Sequence, residues 1–376
     1  MRHLVRTVCT LMLVAGAVTA PLAAQDSTQA AAPAPPALKI SGFAEASYVY
    51  SNNSVGDSVI VGRLYDRSQN HFMLNAVALV LEKAYDPAKV SAGFHTEVLF
   101  GQNANLIKSG GFDLGSGGDL PHLWVTLNVP TQSGNGVQFK IGRMPTLMGL
   151  EVIETPVNPS WSEGLLFVYV ENFTQIGVSV ETKFNAHVDL QLRAFNGWDQ
   201  IHDNNTFKSF MGRVGIYPDD NTSIGLLGYW GPEEVGDNDS KRSGAEVLLW
   251  RKFGKAALWI QGDYGMEQAN SVFLNPSQDA KWSGIGVWLT CDVGKSTALA
   301  LRGEYVNDEN GARTNGFLGF PGNTAHKLWS GAATLNIKTW PDALVRPEIR
   351  YDHSDLMSFN GKTSQVSLAV GVSYSY

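Results

Sequence analysis

The sequence predicts an all-β membrane protein: a transmembrane antiparallel up-and-down β-barrel of about sixteen strands, with long external loops and short periplasmic turns. Three observations carry this expectation. Short segments alternate apolar with polar residues, a period that only an extended chain sorts onto two faces. No run of about 18 apolar residues and no long helical stripe occurs, although 44% of the chain is hydrophobic. The connections between alternating segments switch between long and short along the whole chain.

The N-terminus comes first. Arg2 and Arg6 precede an apolar or small-residue run from Thr7 to Thr19, and Ala20-Pro-Leu-Ala-Ala24 supplies small residues before Gln25. This is the layout of a secretory signal peptide over 1–24, cut after Ala24 or after Ala20. The Ala- and Pro-rich stretch 25–38 reads as a disordered tether, which leaves 39–376 for the barrel. Cys9 leaves with the signal, so the exported chain keeps Cys291 alone and forms no internal disulfide. Loss of Arg2 and Arg6 takes Lys plus Arg from 28 to 26 against 35 acids, a formal charge of −9. That balance argues against a nucleic-acid surface.

Sixteen alternating segments follow, starting near residues 40, 72, 90, 121, 137, 173, 188, 209, 222, 242, 255, 281, 297, 326, 343 and 364. From 90 to 100, Val90, Ala92, Phe94, Thr96, Val98 and Phe100 share one face while His95 and Glu97 take the other. The 297–307 segment sends Arg302 and Glu304 inward, and 326–337 turns Trp329, Ala333, Leu335 and Ile337 outward. In 344–352, Leu344, Arg346, Glu348, Arg350 and Asp352 lie opposite Val345, Pro347, Ile349 and Tyr351, which suits a wall between water and lipid. The last segment is the clearest: Val366, Leu368, Val370, Val372, Tyr374 and Tyr376 alternate with Ser, Ala and Gly. A final strand ending on an aromatic resembles the signal read by the barrel-assembly machinery, so Val366–Tyr376 is the expected contact with it. Tyr48, Tyr50, Trp329, Tyr374 and Tyr376 fall at segment ends, where interfacial aromatics belong.

The long connections are 51–70, 101–119, 144–172, 196–208, 231–241, 268–280, 308–325 and 354–363. The short ones include Asp86-Pro87, Gly134-Asn135-Gly136, Asn185-Ala186, Asp219-Asp220-Asn221, Gly254, Gly294-Lys295 and Pro341-Asp342. Outer-membrane barrels sort their loops in this way, and an even strand count puts both termini in the periplasm. Localisation in the bacterial outer membrane follows, with outer-membrane lipid and lipopolysaccharide as neighbours and an oligomer as an open option.

Two stretches carry a family resemblance. Residues 142–178 read GRMPTLMGLEVIETPVNPSWSEGLLFVYVENFTQIGV and 195–208 read FNGWDQIHDNNTFK, with Tyr229-Trp-Gly-Pro-Glu233 later. They are similar to the OmpL-like β-barrel porins, whose Gly-Arg strand end, Gly-x-Glu segment and Asn-Gly-Trp-Asp turn match Gly142-Arg143, Gly149-Leu-Glu151 and Asn196-Gly-Trp-Asp199. The chain departs from that pattern at Asn172-Phe-Thr-Gln175 and Pro159-Ser-Trp-Ser162. The resemblance implies an outer-membrane pore and says little about its solute.

No catalytic, cofactor or metal constellation stands out. Gly294-Lys-Ser and Gly361-Lys-Thr end like phosphate loops but lack the leading glycine, and the histidines show no ligand spacing. An enzyme of the outer-membrane phospholipase kind needs a Ser–His pair on the outer face, and no segment supplies one. A plug domain with 22 strands does not fit the length. The expected function is therefore passive diffusion of small polar solutes or ions through a water-filled lumen. The alternative is a binding, adhesion or structural barrel with a largely plugged lumen.

Sixteen strands leave an interior wide enough for water. The longest connection, 144–172, carries Glu151, Glu154, Glu163 and Glu171 and no base, and its Pro145, Pro156, Pro159 and leucines suit a loop folded inward against the wall or lying as a surface flap. The constriction candidates are Glu151 and Glu154 on the loop and Lys140, Arg193, Arg213, Arg302, Glu304, Arg346, Glu348 and Arg350 on the wall. Acids outnumber bases among the inward positions, so a weak cation preference is expected.

Overall fold

The alternation of apolar and polar side chains builds a sheet that water wets on one face only, and closing that sheet removes its unpaired edges. A computed structural model describes residues 37–53, 59–109, 114–115, 117–131, 136–270 and 277–376. The expected signal peptide, most of the tether and the Gly134-Asn135 turn lie outside these residues.

Sixteen strands close a barrel: β1 (Leu38–Ser51), β2 (Phe72–Lys83), β3 (Ser91–Phe100), β4 (Gly118–Val129), β5 (Val137–Pro145), β6 (Thr174–Asn185), β7 (Val188–Phe195) and β8 (Ser209–Asp219), then β9 (Thr222–Gly231), β10 (Arg242–Phe253), β11 (Ala256–Asn270), β12 (Gln278–Asp292), β13 (Thr297–Asp308), β14 (His326–Trp340), β15 (Ala343–Ser354) and β16 (Ser364–Ser375). Each strand pairs antiparallel with its sequence neighbours, and β1 pairs with β16 to complete the ring. Every expected segment is a strand, with starts displaced by at most three residues, as at Gly118 and Gln278. The displaced start at Gly118 belongs to a strand whose register with β3 slips between Glu97 and Leu99, beside Pro121.

Closure involves the last residue. Tyr376 N–H donates to the Gly42 carbonyl and Gly42 N–H to the Tyr376 carbonyl, each at 3.1 Å. On β16 the outward Leu368, Val370, Val372 and Tyr374 are exposed, whereas Ser367, Ala369, Gly371 and Ser373 are buried. The same outward apolar face recurs at Ile141, Val178, Leu226, Val247, Ile285, Leu301 and Ile349. Such a belt is costly in water and is satisfied by lipid. Tyr50, Phe72, Trp230 and Trp329 are exposed toward the long-loop end, and Phe184, Phe253, Trp340 and Tyr374 toward the short-turn end.

The loops sort by length as expected, with the short turns at the end where β1 begins and β16 finishes. Two short helices within the long loops had no signal in the sequence: α1 (Gln102–Leu106) and α2 (Leu165–Tyr169). The core lies inside the barrel. Leu64 and Tyr65 of the first long loop, Leu165 to Val170, and Leu318 and Phe320 pack with Trp282, Trp288 and Leu328 in one buried apolar cluster. The third long loop is therefore an inward fold and not a surface flap.

Candidate functional site

The interior of this barrel is shaped by the 144–172 loop. Its base is closed by Thr146 N–H on the Phe173 carbonyl (3.1 Å) and by Thr146 Oγ1 donating to Asn172 Oδ1 (2.8 Å). Below it, Arg143 at the end of β5 donates to both Asp119 oxygens, to the Leu120 carbonyl and to Ser109 Oγ. This explains the Gly142-Arg143 strand end: the arginine ties the loop's origin to β4 and to the preceding loop.

From that base the loop crosses the lumen and bonds to the far wall through its backbone. Gly149 N–H donates to Glu246 on β10 (2.7 Å) and Leu150 N–H to Gln261 on β11 (3.0 Å). Arg346 on β15 donates to the carbonyls of Thr155 (2.9 Å) and Ser160 (2.8 Å). Glu348 accepts Trp161 N–H (3.0 Å), Ser162 N–H (3.2 Å) and the Ser162 hydroxyl, and Arg350 donates to Ser162 Oγ (3.1 Å) and to the Glu163 carbonyl. Glu304 on β13 accepts the first amides of α2, Leu165 N–H (2.9 Å) and Leu166 N–H (3.1 Å), where unpaired donors collect at a helix start. Gly164 is needed there, because a Cβ on it would lie 2.2 Å from the Glu304 carboxylate.

Glu151 is the pivot of this interface. Its carboxylate accepts Trp288 Nε1–H (3.0 Å), Arg302 Nη1–H (2.9 Å) and Gly164 N–H (2.6 Å), while Arg302 also sits 3.0 Å from Glu304. Glu163 is buried with no hydrogen-bond partner for either carboxylate oxygen among the described residues. Burial pushes its carboxyl well above the usual carboxylate range.

The wall on the other side, β4 to β8, holds the loop at fewer points: Glu154 lies 3.2 Å from His122 on β4, and Arg193 on β7 donates to the Pro145 carbonyl. There a cleft of about 950 Å³, counted with its open mouth, runs between the loop and Trp124, Lys140, Glu181, Gln191, Arg193 and Arg213. Lys140 Nζ lies 2.6 Å from Glu181, Arg193 lies 3.8 Å from the same carboxylate, and Arg213 lies 3.4 Å from Asp189. A model of one protein family, putative beta-barrel porin-2, OmpL-like, matches residues 37–376, which is the whole barrel.

The chain belongs to this family of outer-membrane porins.

Solved structures agree on the fold of this OmpL-like porin. An anion-selective porin from Comamonas acidovorans superposes with a TM-score of 0.63 at 12% identity, covering 90% of this chain and 99% of that one. The trimer form of OmpT, an outer membrane protein of Vibrio cholerae, gives 0.61 at 12% identity over 91% and 100%. The outer membrane channel DcaP of Acinetobacter baumannii gives 0.60 at 12% identity over 92% and 99%. At these identities the likeness speaks for the fold. No curated protein matches the sequence.

Within the porin, the ten constriction candidates divide into two groups. Glu151, Arg302, Glu304, Arg346, Glu348 and Arg350 meet at the loop–wall interface and are almost wholly buried there. The Arg346–Arg350 pair, four residues apart on one strand face, spends its donors on loop carbonyls and on Asp352 instead of facing an open path. Lys140, Arg193, Arg213 and Glu154 line the cleft. Three buried arginines, Arg63, Arg143 and Arg242, and the half-buried Arg313 were not among the candidates. Arg63 bonds Asp352 (2.9 Å) and Ser367 (2.8 Å), Arg143 holds the loop base, and Arg242 bonds Glu267 (2.8 Å). Arg313 donates to the Tyr169 carbonyl (2.7 Å). Arg63 and Arg313 sit in loops, where residue alternation gives no facing signal.

Histidines that look scattered in the sequence also meet. His95 and Glu97 point inward from β3, His122 stands directly opposite Glu97 on β4, and Glu154 reaches them from the loop. The only sequence cue was the His95-x-Glu97 alternation on one face.

Proposed function

We propose that this porin conducts small polar solutes or ions passively across the outer membrane, along the β4–β8 wall and past the inward-folded loop. The supporting observation is the uneven anchoring of 144–172, which bonds mainly to the β10–β15 side and leaves a charged cleft opposite. On this reading the chain is a channel and not an enzyme. Residues 1–24 are removed on export, 25–38 tether the barrel, and the final strand engages the assembly machinery in the periplasm. Lipopolysaccharide surrounds the long-loop end.

Selectivity is set by side chains, since the same fold serves an anion-selective porin. The cleft is nearly balanced, with Lys140, Arg193 and Arg213 facing Glu154, Glu181 and the Arg213-bound Asp189. Acids prevail in the rest of the lumen, so a weak cation preference is the expected outcome, diminished by pairing and by screening within about 10 Å at 0.1 M salt.

One observation favours a second reading, a barrel that is closed at rest and serves binding, adhesion or structure. The apolar cluster at the long-loop end draws on five loops, with Leu64, Ile107, Leu166, Phe320 and Phe359 among its members, inside the barrel. Single-channel recording of the purified protein in a planar bilayer decides between the two. Stepwise ohmic conductance supports the pore, and silence from protein shown to be folded refutes it.

A further inference from the structure

The register of β3 against β4 places Glu97 opposite His122, and His95 lies two residues back on the same inward face. One ligand atom from each of His95, Glu97 and His122 lies within 4.8 Å of the others. The loop adds Glu154. His122 Nδ1 is 3.2 Å from Glu97 Oε2 and 3.2 Å from Glu154 Oε1. Glu97 and His122 are both buried, at 1% and 0% exposure, and Glu97 Oε1 has no hydrogen-bond partner among the described residues.

A network of hydrogen bonds satisfies this arrangement poorly. His122 Nδ1 carries at most one proton, which serves one of the two carboxylate oxygens it touches. A proton on that nitrogen would also offset only one of the two buried negative charges beside it. A divalent cation at the meeting point resolves both problems, because it binds the nitrogen and both oxygens and cancels two negative charges. The two His122–carboxylate distances of 3.2 Å agree, since ligand bonds of about 2.0–2.1 Å set tetrahedral ligand atoms about 3.3 Å apart, and the ion would draw His95 in from within 4.8 Å.

We propose that His95, Glu97, His122 and Glu154 form a binding site for a divalent transition-metal ion of the Zn²⁺ class. Mixed imidazole and carboxylate donors select such an ion over Mg²⁺ or Ca²⁺, which take oxygen ligands. Outer contacts hold the ring that the proposal assigns to Nε2. His95 stacks on Trp124 with centroids 4.2 Å apart and planes at 10°, and its Nδ1 lies 3.5 Å from Glu82 Oε2. A ligating histidine backed by a carboxylate through its other nitrogen is the usual support for zinc. Three ligands belong to the wall and the fourth to the loop. The ion therefore fastens the less anchored side of 144–172 at the rim of the cleft that Glu154 lines.

The test uses the full barrel without a histidine tag, folded in detergent, stripped with chelator and dialysed against Zn²⁺ or Co²⁺ alone. Wild type is expected to retain one ion per chain, and Co²⁺ to show the intense visible absorption of tetrahedral coordination. His122→Gln and Glu97→Gln should each lower affinity at least 100-fold while the barrel still shows heat-modifiable gel migration. Glu154→Gln, which leaves the wall intact, should lower it at least tenfold and serves if a wall variant fails to fold. Wild type that retains no Zn²⁺ overturns the proposal, as does equal retention by folded wild type and by all folded variants.

Discussion

Replacing Arg302 with Ala probes the loop's attachment to the wall directly. The guanidinium is fully buried, bonds Glu151 and Ser162 and lies 3.0 Å from Glu304 as an ion pair. Removing one partner of a buried ion pair costs about 3–5 kcal/mol, because the other charge is left unpaired. The low end applies here. Glu151 keeps Trp288 Nε1–H and Gly164 N–H, and Glu304 keeps two amides of α2. A loss of about 3 kcal/mol raises the ratio of released to docked loop roughly 100-fold. The remaining anchors at Gly149, Arg346 and Glu348 keep the docked form in the majority. Single-channel records of R302A should therefore show brief steps to a larger conductance about two orders of magnitude more often than wild type. Thermolysin should also begin to cut near Leu165–Phe167 in the folded barrel. Combining Arg302→Met with Glu151→Gln and Glu304→Gln removes the orphaned charges and should restore most of the wild-type behaviour. Unchanged step frequency and unchanged protease resistance in R302A would show that these contacts do not hold the loop.

Four further outcomes are expected. Deleting Tyr376, or replacing Val372 and Tyr374 with Asp, should abolish outer-membrane accumulation. It breaks the Gly42 pairing or puts acids on a lipid face where a base costs about 2–4 kcal/mol and an acid somewhat less; normal levels on fractionation would disprove it. Epitopes inserted at Asp203 or Asn238 should be labelled by antibody on intact cells and one at Asn221 should not, since these sites lie at opposite ends of the barrel; the reverse labelling inverts the topology. In a salt gradient, Glu154→Gln with Glu181→Gln should reduce the cation preference and Lys140→Ala should raise it, whereas reversal potentials that move in neither variant would place the selective ring elsewhere. Glu233 and Asp199 are acids that burial raises to about 7 and about 6. Both folded values exceed the unfolded ones, so the stability they confer is complete at low pH and is lost as pH rises through roughly 4.5–7 for Glu233. Glu233→Gln should flatten the pH dependence of thermal unfolding in that window, and an unchanged slope would refute the assignment.

Much of this barrel is legible in the sequence because its determinants are local. A strand in a membrane wall must alternate lipid-facing and water-facing residues, and that demand is written into each segment independently of its neighbours. Turns such as Gly254 and Asp219-Asp220-Asn221 are likewise set by residues within a few positions. Strand number, face assignment and the sorting of loops therefore follow from period and punctuation alone. The interior obeys a different logic. Whether 144–172 folds inward depends on carboxylates, a glutamine amide and guanidiniums from β10, β11, β13 and β15 meeting backbone amides and carbonyls more than ninety residues away, which no local pattern encodes. The fate of Arg346 and Arg350 turns on the same contacts: alternation puts them inside, and only the loop's position makes them anchors instead of lining. His122 meets Glu97 through a register adjusted by the irregularity beside Pro121, and Glu154 joins them only because the loop crosses the lumen. Alternation specifies which face a residue takes. Closure of the ring and the path of one loop decide what that residue meets there.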